Sequence, residues 1–244
     1  MLLLAVSLYV STLGVSFFKP SEKSSVGTDE LISAAEVLVG ELARRDAEYI
    51  DSADALSEEL YLAYLKVQPK NADILPIKPN IKLFRGESLF SSLGIYASYS
   101  FLSSEVILNP AAPEYTKPFS AAHECAHLFG ISKEDEASLA AYIVLSESDN
   151  AAFSYSAQLC ALEYILDEIR IKNKAAYLDA VAALPKRVRD ELALGESFVG
   201  LSGNGLGDAS RDLNDAVLSI FDSDGAESYS RFAYLVAEHI LSEK

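Results

Sequence analysis

The chain has 244 residues, half of them apolar, and a formal net charge of −16 at pH 7. That length fits one large domain or two small ones, and the apolar share is ample for a core. The acidic balance argues against a nucleic-acid partner, which wants a basic face. Two cysteines, Cys125 and Cys160, are too few for a disulfide scaffold and read as small buried side chains.

Residues 2–18 are almost uncharged and strongly apolar, at the short edge of what spans a bilayer. A secretory signal wants a basic leading region and a small-residue cleavage site. The first is missing, and Val15-Ser16 is a weak version of the second. A membrane anchor is therefore the first expectation for 1–18, ahead of an atypical signal and of a buried core helix. Lys19 and Lys23 follow the segment and, by the positive-inside tendency, favour a cytoplasmic remainder. Met1 opens directly onto the apolar run, which leaves room for earlier membrane segments. Residues 19–27 are polar and read as a linker to a single domain over 28–244.

Thr28 is the expected N-cap of a first helix with Leu31, Ala35, Leu38, Val39 and Leu42 on one face. Residues 53–67 form a second, with Leu56, Leu60, Tyr64 and Leu65 as its apolar side. Pro69, Pro76 and Pro79 then break the helical pattern. Residues 81–84 read as a short strand, and 94–101 with 105–109 as a hairpin pair. Segment 105–109 is the expected sheet edge, either pairing with an extended peptide or serving structure alone. Pro110 and Pro113 end it, and Pro118 stands near the start of the next helix, where proline is tolerated.

That next helix carries the chemistry. His123-Glu124-Cys125-Ala126-His127 is an H-E-x-x-H sequence in an apolar run, and it holds two of the chain's three histidines. Residues four apart share a helix face, so His123 and His127 present two imidazoles to one point, as a tetrahedral zinc ion requires. Glu124 can lean over the open position, take a proton from water and pass it to a leaving amine. Gly130 stands where a C-cap glycine belongs. Ser132 with Asp135 resembles a capping box, which predicts a new helix from Ser132 to about Ser148. In it Glu136 faces back towards the motif helix as the expected third ligand, with small Ala137, Ala140 and Ala141 allowing close approach. Glu134 is the rival ligand and Asp135 a cap or supporting group. Two histidines, a glutamate and a water make an open, catalytic zinc site.

The run His123 to Ile131, then Glu134-Asp135-Glu136-Ala137, then Phe153-Ser154-Tyr155-Ser156, resembles an uncharacterised bacterial family. Its members are membrane-anchored proteins with H-E-x-A-H and E-D-E-A-N-F motifs, described as a domain of unknown function. The likeness extends to Ser228-Tyr229-Ser230-Arg231 and the apolar N-terminus, hence over most of the chain. The family usually starts with more than one membrane helix, whereas this chain shows one at most. It also usually has Asn-Phe where this chain has Ser138-Leu139, a difference bearing on local packing. The ligand spacing also resembles gluzincin-like peptidases that cleave bacterial regulators. The resemblance implies a zincin-like, zinc-dependent metallopeptidase domain, outside the cytoplasm at the cell membrane.

Residues 151–171 are apolar at helical spacing. Near the start, Tyr155 is a candidate to stabilise an oxyanion, against the alternative of an interior tyrosine with a hydrogen-bond partner. Shorter helices follow at 174–183 and 186–194. The glycine-rich 200–207 lacks the lysine and preceding strand of a phosphate loop and reads as a mobile loop. Residues 208–221 and 228–242 close the chain as helices, with His239 at the surface. The resemblance alone implies that Tyr229 and Arg231 reach the cleft and bind a substrate carbonyl or carboxylate. The expectation is thus a mainly α protein with a small antiparallel β-sheet (α+β) that hydrolyses peptide bonds with zinc and Glu124. Its partners are a peptide or protein substrate and, through the N-terminus, a membrane. The alternative is a zinc-binding but catalytically silent regulatory or interaction module.

Overall fold

The computed structural model describes residues 26–45, 49–50, 52–68, 76–92, 94–100, 103–202 and 226–243. In chain order these form α1 (Thr28–Leu42), α2 (Ala53–Val67), β1 (Asn80–Leu83), α3 (Glu87–Ser92), β2 (Ala97–Ser100) and β3 (Glu105–Leu108). There follow α4 (Thr116–Leu128), α5 (Glu134–Ser146), α6 (Ala151–Lys172), α7 (Lys174–Ala183), α8 (Lys186–Ser202) and α9 (Ala226–Ser242). The architecture is mainly helical with one small sheet, an α+β fold. No described helix is long and apolar enough to cross a membrane. The anchor expected at 1–18, most of the 19–27 linker and the helix expected at 208–221 lie outside the described residues.

Two helices form the centre. On α6, residues Ala152 through Leu162 are all buried, then Ile165, Leu166, Glu168 and Ile169. On α5 every residue from Asp135 to Leu145 is buried. A helix apolar all round belongs inside, and α6 is packed by α1, α4, α5, α7 and α9. Their alanines (Ala137, Ala140, Ala141, Ala157, Ala161) leave room for neighbouring backbones.

The motif helix α4 is fixed from three sides. Tyr64 on α2 donates its hydroxyl to the Ala122 carbonyl at 2.7 Å, and its ring meets Phe129 edge-on at 4.8 Å. Ser156 on α6 accepts from the Phe119 amide at 3.1 Å and donates to the Tyr115 carbonyl at 2.5 Å. The third contact is the sheet, since β2 and β3 both pack against α4.

The sheet differs from expectation in two ways. Its order is β1-β3-β2, with β1 parallel and β2 antiparallel to β3, so it is mixed. The hairpin is as expected, but β3 is the central strand and cannot be the free edge. Its alternation places Val106 and Leu108 in the core, whereas β1 buries only Ile81. A four-residue strand with one inward side chain carries too little pattern to reveal its partner. The edge beside α4 is β2.

Helix starts also moved. Gly27, not Thr28, caps α1, and the Glu30 carboxylate accepts the Gly27 amide at 2.9 Å. The α5 helix starts at Glu134 with Lys133 as N-cap; Ser132 makes no capping bond there. Helix α8 runs on to Ser202, taking in residues 200–202 of the expected loop.

Candidate metal centre

Helix α4 ends in a tight reversal. Gly130 has φ 98°, a left-handed conformation that glycine adopts without a Cβ penalty. The chain folds back so that the Ile131 amide bonds the Ala126 carbonyl at 3.0 Å. This brings the Ile131 carbonyl to 2.8 Å from His127 Nδ1. A carbonyl can only accept, so Nδ1 carries the proton and Nε2 of the neutral ring is a lone pair. On His123, Nδ1 lies 3.1 Å from the Ser138 hydroxyl of α5, which leaves Nε2 pointing the same way.

The two Nε2 atoms converge to 3.0 Å, with the rings near perpendicular at 85°. Glu134, the first residue of α5, closes the group. Its Oε2 is 3.0 Å from His123 Nε2 and its Oε1 is 3.4 Å from His127 Nε2. A tetrahedral zinc with bonds of about 2.0–2.1 Å separates its ligands by about 3.3 Å. The three donors therefore already stand at the spacing of one metal coordination sphere. Among the described residues this is the group that can hold a metal ion.

The electrostatics agree with the geometry. Burial pulls the His127 pKa down, but hydrogen bonding and charge from Glu134, the Glu124 charge and the Ile131 carbonyl carry it up to about 9. Burial raises Glu134, yet the two imidazoles outweigh it and hold the carboxyl well below the usual carboxylate range. Both shifts say that these donors favour positive charge between them, and a metal competes with the proton for that place.

The structure corrects the choice of acid. Glu134 joins the histidines, and Glu136 does not: it is buried and ion-paired with Lys133 at 3.0 Å. The cause is the later start of α5. With Glu134 as its first residue, the carboxylate next to the reversal faces the imidazoles, and Glu136, two residues on, turns away.

Of the other predicted residues, Glu124 lies on α4 next to His123 and makes no hydrogen bond or ion pair among the described residues. Tyr155 is buried and donates to Glu191 on α8, with the Arg187 guanidinium 4.6 Å from its ring centre. It is the interior tyrosine with a partner, not an oxyanion donor. The Tyr229 side chain lies outside the described residues. Arg231 reaches Asp135, 3.2 Å away, beside the cluster rather than in it.

Two residues went unnoticed in the sequence. Ser138, part of the departure from the family pattern, supports His123 directly. Tyr99 on β2 lies with its ring 6.3 Å from that of His127. Burial, and then the nearby Glu124 charge, push its hydroxyl pKa up, so it stays a phenol. The signal for Tyr99 was the strand alternation that puts it on the face of Ala97, towards α4.

These features define a class, a mainly helical α+β domain in which a reversal between two helices gathers two histidines and a glutamate into a candidate metal centre. The chain belongs to the family described as "Protein of unknown function (DUF3810)", whose model matches residues 2–237. No curated protein matches it, and no solved structure does.

Proposed function

We propose that this chain is a zinc-dependent hydrolase of peptide bonds, with His123, His127 and Glu134 as the metal ligands and Glu124 as the general base. The observation that carries this reading is the convergence of three donors within 3.0–3.4 Å, with Glu124 on the same helix making no hydrogen bond or ion pair among the described residues. A purely structural site takes four protein ligands, whereas three leave a position for water or substrate. Zinc bound there supplies Lewis acidity to the water and to the scissile carbonyl.

The protein's own groups do the rest. Glu124 takes the proton of the attacking water and returns it to the leaving amine. The Ile131 carbonyl fixes the His127 tautomer, and Ser138 orients His123. The edge strand β2 supports a peptide as substrate. The Asn109 amide donates to the Tyr96 carbonyl at 2.9 Å. In the register Ala97↔Leu108, alternate residues then bond to β3. The backbone groups of Ala97 and Tyr99 consequently point away from β3, as an extended peptide needs for strand addition.

Metal analysis and peptide cleavage by the wild type and Glu124→Gln test the proposal. The expected result is stoichiometric zinc in both proteins and cleavage of a broad peptide library by the wild type only. Zinc in both without cleavage by either would favour a silent zinc-binding module. A wild type without zinc would end the metal reading altogether.

A further inference from the structure

The cluster is built from α4 and α5, but α5 is held in turn by the C-terminal helix. Glu134 and Ser138 are four residues apart on α5 and share the face that meets His123. Asp135 is rotated about 100° from that face. Its side chain is 4% exposed. A carboxylate this buried needs partners, and it has two: Oδ1 accepts the Glu136 amide at 2.9 Å and Oδ2 meets Arg231 Nη1 at 3.2 Å. The helix is anchored beside Arg231 by Phe232, which is 1% exposed and packs on Phe119 of α4 and Tyr164 of α6.

Resting on the metal-centre reading above, we propose that Arg231 is a positioning residue for that centre. Through Asp135 it sets the rotation of the first turn of α5 that brings Glu134 to the two histidines. The C-terminal helix thus controls how well the metal is held, although it supplies no ligand among the described residues.

The sign of the effect separates this role from simple charge. Removing a cation near a metal site should tighten metal binding by Coulomb attraction alone. Loss of positioning should weaken it, by roughly tenfold, at the low end of what outer partners of metal ligands contribute. The full chain and the variants Arg231→Ala, Arg231→Lys and Asp135→Asn are titrated with zinc against a competing chelator. Thermal melts of the metal-free forms and cobalt absorption spectra accompany the titrations.

The expected result is zinc binding about tenfold weaker in Arg231→Ala, with a changed cobalt spectrum and partial rescue in Arg231→Lys. Asp135→Asn keeps the amide acceptor and should also weaken binding, but loss of its own charge acts in that direction too, so its cobalt spectrum rather than its affinity reports on positioning. Should Arg231→Ala fail to fold, Arg231→Lys carries the test, because it keeps the charge and Coulomb attraction alone would leave its affinity unchanged. Wild-type affinity in the variants, tighter binding in Arg231→Ala, or a lower metal-free melting point with unchanged affinity would overturn the proposal. A wild type that takes up no zinc would overturn the centre itself, an outcome distinct from failure of the positioning role alone.

Discussion

Two half-buried glutamates in this molecule behave oppositely. Glu134 sits between two imidazoles, and they hold its carboxyl well below the usual range against the pull of burial. Glu163 on α6 sits against Tyr115, whose hydroxyl donates to it at 3.2 Å. Burial pushes its pKa up to about 7, assisted by the charges of Asp167 and Glu196, and the Tyr115 bond only partly offsets this. Burial is common to both. What differs is whether the neighbours can become positive. Imidazoles can share a cation with a carboxylate, but a phenol cannot. The first surrounding is suited to metal and the second to a proton.

The contrast can be broken at its strongest point first. His127→Ala removes one donor, and zinc affinity should fall by more than the ~10–100-fold typical of losing an outer partner. Calorimetry or chelator competition reads this. Zinc should also stop raising the melting temperature, since a ligand stabilises only what binds it. Glu124→Gln should leave zinc affinity near wild type while peptide hydrolysis falls by roughly 10²–10⁴-fold, the usual share of a general base. Equal loss of metal and activity in that variant would mean that Glu124 supports the centre rather than acting on water.

The other surrounding is probed through Gly195 on α8. A Cβ there would collide with the Tyr115 hydroxyl and press on Glu163 Oε1 at 3.2 Å. Gly195→Ala gains helix propensity of about 1 kcal/mol but meets overpacking of about 1–3 kcal/mol. A lower denaturation midpoint is expected, and a higher one would show that Tyr115 moves aside freely.

A further effect concerns pH. Between about 4.5 and 7 the folded protein keeps a proton on Glu163 that the unfolded chain has already lost. Stability from this group is therefore full below the unfolded pKa and is lost as pH rises through the folded one. The loss should be on the order of 1–3 kcal/mol. Glu163→Gln should flatten this part of the profile in urea titrations. An unchanged slope would remove Glu163 as its source.

What the sequence revealed was whatever covalent spacing alone decides. His123 and His127 are one helical turn apart on any helix, so their convergence needed no tertiary information. The hairpin of β2 and β3 was visible through alternation and proximity. The choice between Glu134 and Glu136 was not, because it turns on a helix start two residues later than Ser132-Asp135 suggested. Nor was the parallel partner of β3, since β1 offers only Ile81 as a pattern. For Tyr155 the interior reading was open, but its partner, Glu191, lies 36 residues away on another helix. Burial was foreseeable there, but the identity of the partner was not.

The reversal at Gly130 also bears on how the protein folds. The candidate metal ligands lie close in the chain, Glu134 only 11 positions after His123. Loop-closure entropy for so short a segment is small compared with that of distant contacts. Its assembly is a local event of helix and turn formation, which belongs to the microsecond range. These donors can therefore meet without waiting for the C-terminal helix, which joins them from far along the chain.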